Sequence, residues 1–397
     1  MEDAQFASIL HAAARLSPRE LVFITDFDRC FRADLPCFPN ATSITMTLRS
    51  VCFTQQMLND PFLALERLSL MGCTVLDVAT MVYRCPCLRV LKMSADTSTH
   101  DVTVHSASLQ ELELVVHETQ CEGINITTPL LEQLKLDVCA SSDLSVSVSA
   151  PMLQKVSWRF AYSTVVHVFG LWFLQKMEVD TIEDDYKYKD GELINEGDDA
   201  CSHPPHVHAL SLHIFANKNM GMELNLAREI EKIPVTNFTV LELHLHAKRH
   251  AIAAFVFHLL SMNQIQTTTR RLKLVLSRWS EMSKCLKKCP CNEPNNWRNQ
   301  IISLNHLEEV EIKNFRGGDR EIDLVTQMFI WAPNMKRMTI KLTSEVKPTD
   351  IGGCAMSVYN ICLAHPSVNS FVYLSSGEWV PCSSMEGDCD RVVIELD

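Results

Sequence analysis

The chain has 397 residues, 47% of them apolar and 21% charged, with 36 Lys and Arg against 48 Asp and Glu and a formal charge of −12. An apolar fraction of this size over this length can bury a large core and would ordinarily fill two or more domains. The negative balance argues against a nucleic-acid-binding surface, which needs clustered Lys and Arg to displace counterions from phosphates.

Local basic clusters at Lys248-Arg249-His250 and Arg270-Arg271-Lys273 are short. The 16 cysteines are scattered, without the dense framework of a small secreted domain. Met1 to Leu21 lacks a basic segment followed by an apolar core and a small-residue cleavage site. No apolar run approaches the ~20 residues that span a bilayer. The expected compartment is the reducing cytoplasm or nucleus, with no membrane partner.

In chain order, residues 1–34 hold an amphipathic helix over Ala4 to Leu16, closed by Ser17-Pro18, and are read as a helical N-terminal segment. From 35 to 177 a leucine-x-x-apolar-x-apolar pattern recurs: Leu65-Leu68-Leu70, Leu88-Leu91-Met93, Leu109-Leu112-Leu114, Leu131-Leu134-Leu136 and Leu153-Val156-Trp158. Their first leucines lie 23, 21, 22 and 22 residues apart. An earlier strand, Ala41-Ile44-Met46, fits 24 residues before Leu65. Near-constant spacing of this kind predicts an α/β leucine-rich-repeat solenoid, a curved parallel sheet with helices or extended segments on its outer side. Val75 to Tyr83 reads as a short outer helix. The spacers before Leu109 and Leu131 are too short for a helix and predict outer strands or extended chain.

Residues 178–206, rich in Asp and Glu with little to bury, predict an exposed, mobile acidic loop. Longer irregular repeats follow over 207–284: Val207-Leu210-Leu212, Phe238-Leu241-Leu243 and Thr269-Leu272-Leu274, with helices at Leu224 to Ile233 and Ala247 to Leu260. Over 285–345 the pattern is strand, helix, strand: Leu307-Val310-Ile312, Glu321 to Trp331, then Met335-Met338-Ile340, the order of a right-handed crossover. Residues 346–397 form a C-terminal extension.

Between the buried positions of each strand, side chains point to the open face. Aligning the repeats sets Lys92, Glu113 and Lys135 side by side, flanked by Ser69 and Ser157. The candidate partner-binding residues are Arg67, Lys92, Glu111, Glu113, Lys135 and Lys155, with Glu309, Glu311 and Lys313 on the C-terminal strands. Two metal-like groupings are read as structural. His213, His244 and His246, with His203, His206 and His208 upstream, have no cysteine or carboxylate fixed beside them at zinc spacing. Cys285, Cys289 and Cys291 lack the second half of a site, His306 being the one nearby candidate. No phosphate-binding glycine loop, nucleophile elbow, metalloprotease or kinase signature is present. The expectation is a protein with no catalytic residues, no metal and no cofactor.

The stretches Leu35-Pro36-Cys37-Phe38, Leu65 to Cys73, Cys85-Pro86-Cys87-Leu88-Arg89-Val90-Leu91, Val104 to Leu109 and Ala150-Pro151-Met152-Leu153 resemble plant F-box/leucine-rich-repeat proteins, particularly the expanded grass group. Cys289 to Arg298, Leu307 to Ile312 and Ala332 to Met338 resemble their C-terminal FBD region. The resemblance implies the substrate-recognition part of an SCF-type ubiquitin ligase receptor, in which an F-box docks on a Skp-type adaptor bound to a cullin while the repeats hold a target protein. It departs at residues 1–34, which are too few for the helical F-box. The alternative expectation is an F-box-less scaffold or competitor that binds targets or a small ligand without delivering them for ubiquitination. For the FBD cysteines the resemblance implies a structural motif without metal.

Overall fold

A computed structural model describes residues 3–25, 31–53, 61–75, 77–95, 101–116, 121–140, 144–162, 168–169, 172–183, 206–216, 226–235, 237–247, 252–278, 302–344 and 348–374. The chain divides into two compact units, residues 1–213 with 217–238, and residues 214–216 with 239–397.

The first unit opens with helix α1 (Asp3–Arg15), followed by strands β1 (Glu20–Thr25), β2 (Phe31–Ala33), β3 (Ser43–Phe53) and β4 (Arg67–Val75). Helix α2 (Val78–Tyr83) precedes β5 (Val90–Ala95), β6 (Asp101–His105), β7 (Glu111–Val116), β8 (Gly123–Thr127), β9 (Gln133–Ala140), β10 (Ser145–Ser149) and β11 (Lys155–Tyr162). Then come β12 (Val168–Phe169), β13 (Trp172–Glu183), the first part of β14 (His206–Ala216) and helix α3 (Leu226–Glu231).

Strands β1, β3, β4, β5, β7, β9 and β11 pair in that order, all parallel. One main-chain bond repeats at every step: Thr42 N–H donates to the Arg19 carbonyl at 2.8 Å, Glu66 to Thr42 at 2.9 Å, Arg89 to Glu66 at 2.8 Å, Gln110 to Arg89 at 2.8 Å, Glu132 to Gln110 at 2.9 Å and Gln154 to Glu132 at 2.9 Å. Each repeat thus satisfies its turn amide on the preceding one, the nearest-neighbour coupling by which a solenoid grows. The leucine positions form the core: Leu65, Leu68, Leu70, Leu88, Leu91, Leu109, Leu112, Leu114, Leu131, Leu134 and Leu136 are all buried. Truncating one such leucine to alanine costs about 2–5 kcal/mol.

The outer side of the short repeats is a second parallel sheet, β6, β8 and β10 in the order β10-β8-β6, as the short spacers predict. Helix α2 fills the outer side of the preceding unit, its N-terminus capped by Asp77, which accepts the Thr80 amide at 2.9 Å.

The second unit contains the end of β14, β15 (Phe238–Ala247), α4 (Ile252–Leu260), α5 (Asn263–Thr268), β16 (Arg271–Arg278), β17 (Glu309–Phe315), α6 (Asp319–Trp331), β18 (Arg337–Leu342), α7 (Pro348–Leu363) and β19 (Asn369–Tyr373). Strands β15 to β19 pair in sequence order, all parallel, with helices between several of them. The same turn bond recurs: Arg270 N–H to Thr239 O at 2.8 Å, Glu308 to Arg270 at 2.8 Å and Lys336 to Glu308 at 2.7 Å; in the last repeat it shifts one position along, Asn369 to Lys336 at 2.9 Å. Glu321, buried at the start of α6, accepts the amides of Arg316 at 2.8 Å and Gly317 at 2.9 Å, satisfying donors of the turn between β17 and α6. Each unit is therefore an α/β leucine-rich-repeat solenoid.

Three boundaries read from the sequence are corrected. Among the described residues of 1–34 the helix is α1 alone; β1 and β2 pair with β3, so the repeats begin before residue 35. Helix α1 packs on this first repeat through Phe6 and Phe23, ring centroids 5.7 Å apart. Glu178 to Glu183 are strand, the end of β13, which pairs antiparallel with β11 and buries Met177 and Val179; the rest of the expected acidic loop, residues 184–205, lies outside the described residues. The C-terminal extension begins with a further helix-strand repeat, α7 and β19, paired to β18.

Candidate interaction surface

On the first unit, alternation along each strand buries the leucines and turns the intervening residues to the opposite face. Strand register places Ser69, Lys92, Glu113, Lys135 and Ser157 in one lateral row, as the aligned repeats predict. Glu113 accepts a hydrogen bond from Lys135 Nζ at 2.6 Å and lies 3.6 Å from Lys92 Nζ. The two lysines stay open to solvent, 46% and 57% exposed, while Glu113 is 20% exposed between them. The Lys135 hydrogen bond, opposed by burial and aided by both ammonium charges, holds the Glu113 carboxyl below its ordinary range.

Arg67, Glu111 and Lys155 share the neighbouring row, Arg67-Val90-Glu111-Gln133-Lys155, where uncharged residues separate them. None of the three makes an ion pair among the described residues.

A third row carries a network the sequence reading missed. Arg159 binds Asp137 at 3.3 Å and Glu178 at 2.7 Å; Lys176 reaches Glu178 at 2.5 Å and His213 Nε2 lies 3.6 Å from it. Burial raises the Glu178 carboxyl, and the hydrogen bonds and charges of Lys176 and Arg159 together outweigh it, leaving a net lowering. Repeat alignment carries the signal for Asp137 and Arg159, which sit two residues beyond Lys135 and Ser157. Glu178 and Lys176 lie on an antiparallel strand, where translation along the repeat gives no register.

On the second unit, Glu311 lies 3.7 Å from Lys313 and 3.2 Å from Lys341, and Glu309 stands in register between Arg271 and Arg337. Glu242, unmarked in the sequence reading, binds His244 Nε2 at 2.7 Å and Lys273 Nζ at 2.9 Å. Those hydrogen bonds, His244 first, hold its carboxyl at about 2.

The histidines differ from expectation in one respect: carboxylates do stand beside them, Glu178 at His213 and Glu242 at His244. His246 instead stacks on Phe215, ring centroids 4.2 Å apart, and burial, with the charge of His244, lowers its pKa. Among the described residues no three His, Cys, Asp or Glu gather as metal ligands. His203 and the cluster Cys285, Cys289 and Cys291 lie outside the described residues. No helix among the described residues is long and apolar enough to cross a membrane.

No protein-family model, curated protein or solved structure gives a significant match to the chain.

Proposed function

We propose that this chain is a non-catalytic protein-interaction module of the kind that forms the substrate-recognition part of an SCF-type ubiquitin ligase receptor, holding a target protein on the open face of its repeats. The observation that carries the reading is the row Lys92, Glu113 and Lys135, three charged side chains held on consecutive strands of one sheet, with both lysines open to solvent. A broad, side-chain-rich sheet face suits a macromolecular partner. The ligase role rests on the resemblance to F-box/leucine-rich-repeat and FBD proteins.

The second reading is a scaffold or competitor that binds without delivering to the ligase. Residues 20–25 and 31–33 are strands of the first repeat, on which α1 packs through Phe6 and Phe23. Affinity purification of the tagged chain from plant cells, beside the same chain fused to a complete F-box, separates the two. Co-purification of a Skp-type adaptor and cullin with the unfused chain supports the receptor reading. Their recovery only with the fusion, other partners being shared, supports the scaffold reading.

A further inference from the structure

We infer that the partner segment held by the first unit is an acidic, extended peptide, its Asp or Glu carboxylates meeting Lys92 and Lys135; the inference rests on the interaction-module reading above. The argument is one of charge. The chain as a whole carries −12. The face between β4 and β11 runs the other way: Arg67, Lys92, Lys135, Lys155 and Arg159 stand there against Glu111, Glu113 and Asp137, a surplus of two positive charges. The turn residues just before these strands, Glu66, Arg89, Gln110, Glu132 and Gln154, carry one net negative charge and do not cancel it.

The surplus is also localised. Arg159 is engaged by Asp137 and Glu178, so its charge is spent within the sheet. Glu113 is one carboxylate shared by two ammonium groups, each still about half exposed. Lys92 and Lys135 sit two strand spacings apart, roughly 9–10 Å, with Glu113 between them limiting their wander. Arg67 and Lys155 lie one row away, at either end, without ion-pair partners among the described residues. Carboxylates spaced along an extended chain match this arrangement, whereas a basic segment meets like charge at Arg67, Lys92, Lys135 and Lys155. Glu113 acts here as a positioning residue.

The test is fluorescence anisotropy of the full chain with three labelled peptides of equal length, alternating Glu-Ser, Gln-Ser and Lys-Ser, at low and physiological salt. The expected result is preferential binding of Glu-Ser, weakening as salt rises, by about tenfold or more over the other two. In the double variant K92Q/K135Q, checked for folding by circular dichroism, Glu-Ser binding falls about tenfold; K92R/K135R retains it. Equal affinity for all three peptides, no Glu-Ser binding, or an unchanged K92Q/K135Q overturns the inference. If Gln-Ser or Lys-Ser binds best and the double variant abolishes that, the interaction reading stands and only the acidic preference falls. If no peptide binds and co-purifying proteins stay bound to the double variant, the open face of this unit is not the interaction site and both readings fall.

Discussion

Glu113 accepts a hydrogen bond from Lys135 at 2.6 Å across 22 residues of sequence, the length of one repeat. The pair exists because the repeat length is nearly constant. It is half open to water, so its stability value is small: Glu113→Gln should cost about 0.2–1 kcal/mol, and urea unfolding beside wild type measures it. The Glu113 pKa is depressed in the folded state, so its contribution is present above the ordinary carboxylate range and fades as pH falls through the depressed value. The difference between the two proteins should therefore close in acid, and a gap that widened there would contradict the pairing.

Glu242 offers the same test with a larger lever. Its carboxyl falls from an ordinary 4.5 to about 2 under the hydrogen bonds of His244 and Lys273. Folded-state depression means stability that is complete above pH 4.5 and lost progressively between there and pH 2. Glu242→Gln should flatten that part of the pH-stability curve, followed by thermal unfolding at a series of pH values.

Tyr162 ties α3 to the sheet: its hydroxyl donates to Glu229 Oε2 at 2.8 Å, and Glu229 is only 3% exposed. Lys232 supplies a second donor at 2.8 Å. Tyr162→Phe removes a hydrogen bond to a buried carboxylate and should cost about 1.5–3 kcal/mol. A loss below about 0.5 kcal/mol in denaturant unfolding would show that Lys232 and solvent suffice.

How much of this was legible before any coordinates? The leucine triads, the outer strands at the short spacers and the order Lys92, Glu113, Lys135 were all readable, because each depends only on a regular period and strand alternation. The terminal repeats were not. In the first, register puts Pro18, Leu21 and Phe23 where the pattern wants three aliphatics. In the last it puts Ser367, Ser370 and Val372 there, so only the valine signals burial. Among the described residues β1 and β19 each have a neighbour on one side only, and such an end position tolerates polar residues that an inner one would not. The Glu178 network was hidden for another reason: β13 runs against β11, and no translational rule gives its partners.

Gly317 and Gly353 form a contrasting pair. Gly317 has φ of 77°, and a Cβ there would meet Cys354 Sγ, so Gly317→Ala should destabilise by about 1 kcal/mol or more. Gly353 lies within α7, where a Cβ meets nothing within 4 Å; Gly353→Ala should stabilise by roughly 0.5–1 kcal/mol. Opposite shifts in melting temperature are the expected result.

Thiol reactivity should follow burial. Burial pushes Cys73 and Cys85 up to about 12, while Cys87, two residues on from Cys85, is exposed. Alkylation at pH 8 followed by peptide mapping should label Cys87 first among the nine described cysteines and leave Cys73 and Cys85 untouched until urea is added. Early labelling of Cys73 would mean that its repeat opens readily.

The turn bond that repeats from Arg19 to Gln154 gives the scaffold an unusual kind of editability. Excising Gln110 to Leu131, 22 residues, would leave Leu109 followed by Glu132-Gln133-Leu134, the same spacing and the same turn chemistry. Strand β9 would then lie beside β5, and Lys135 beside Lys92 with no carboxylate between them. A gene that gains or loses one unit of this length keeps its backbone plan and rewrites the displayed charges one column at a time. Lineages built this way can diverge in what they recognise while their buried leucines stay in step.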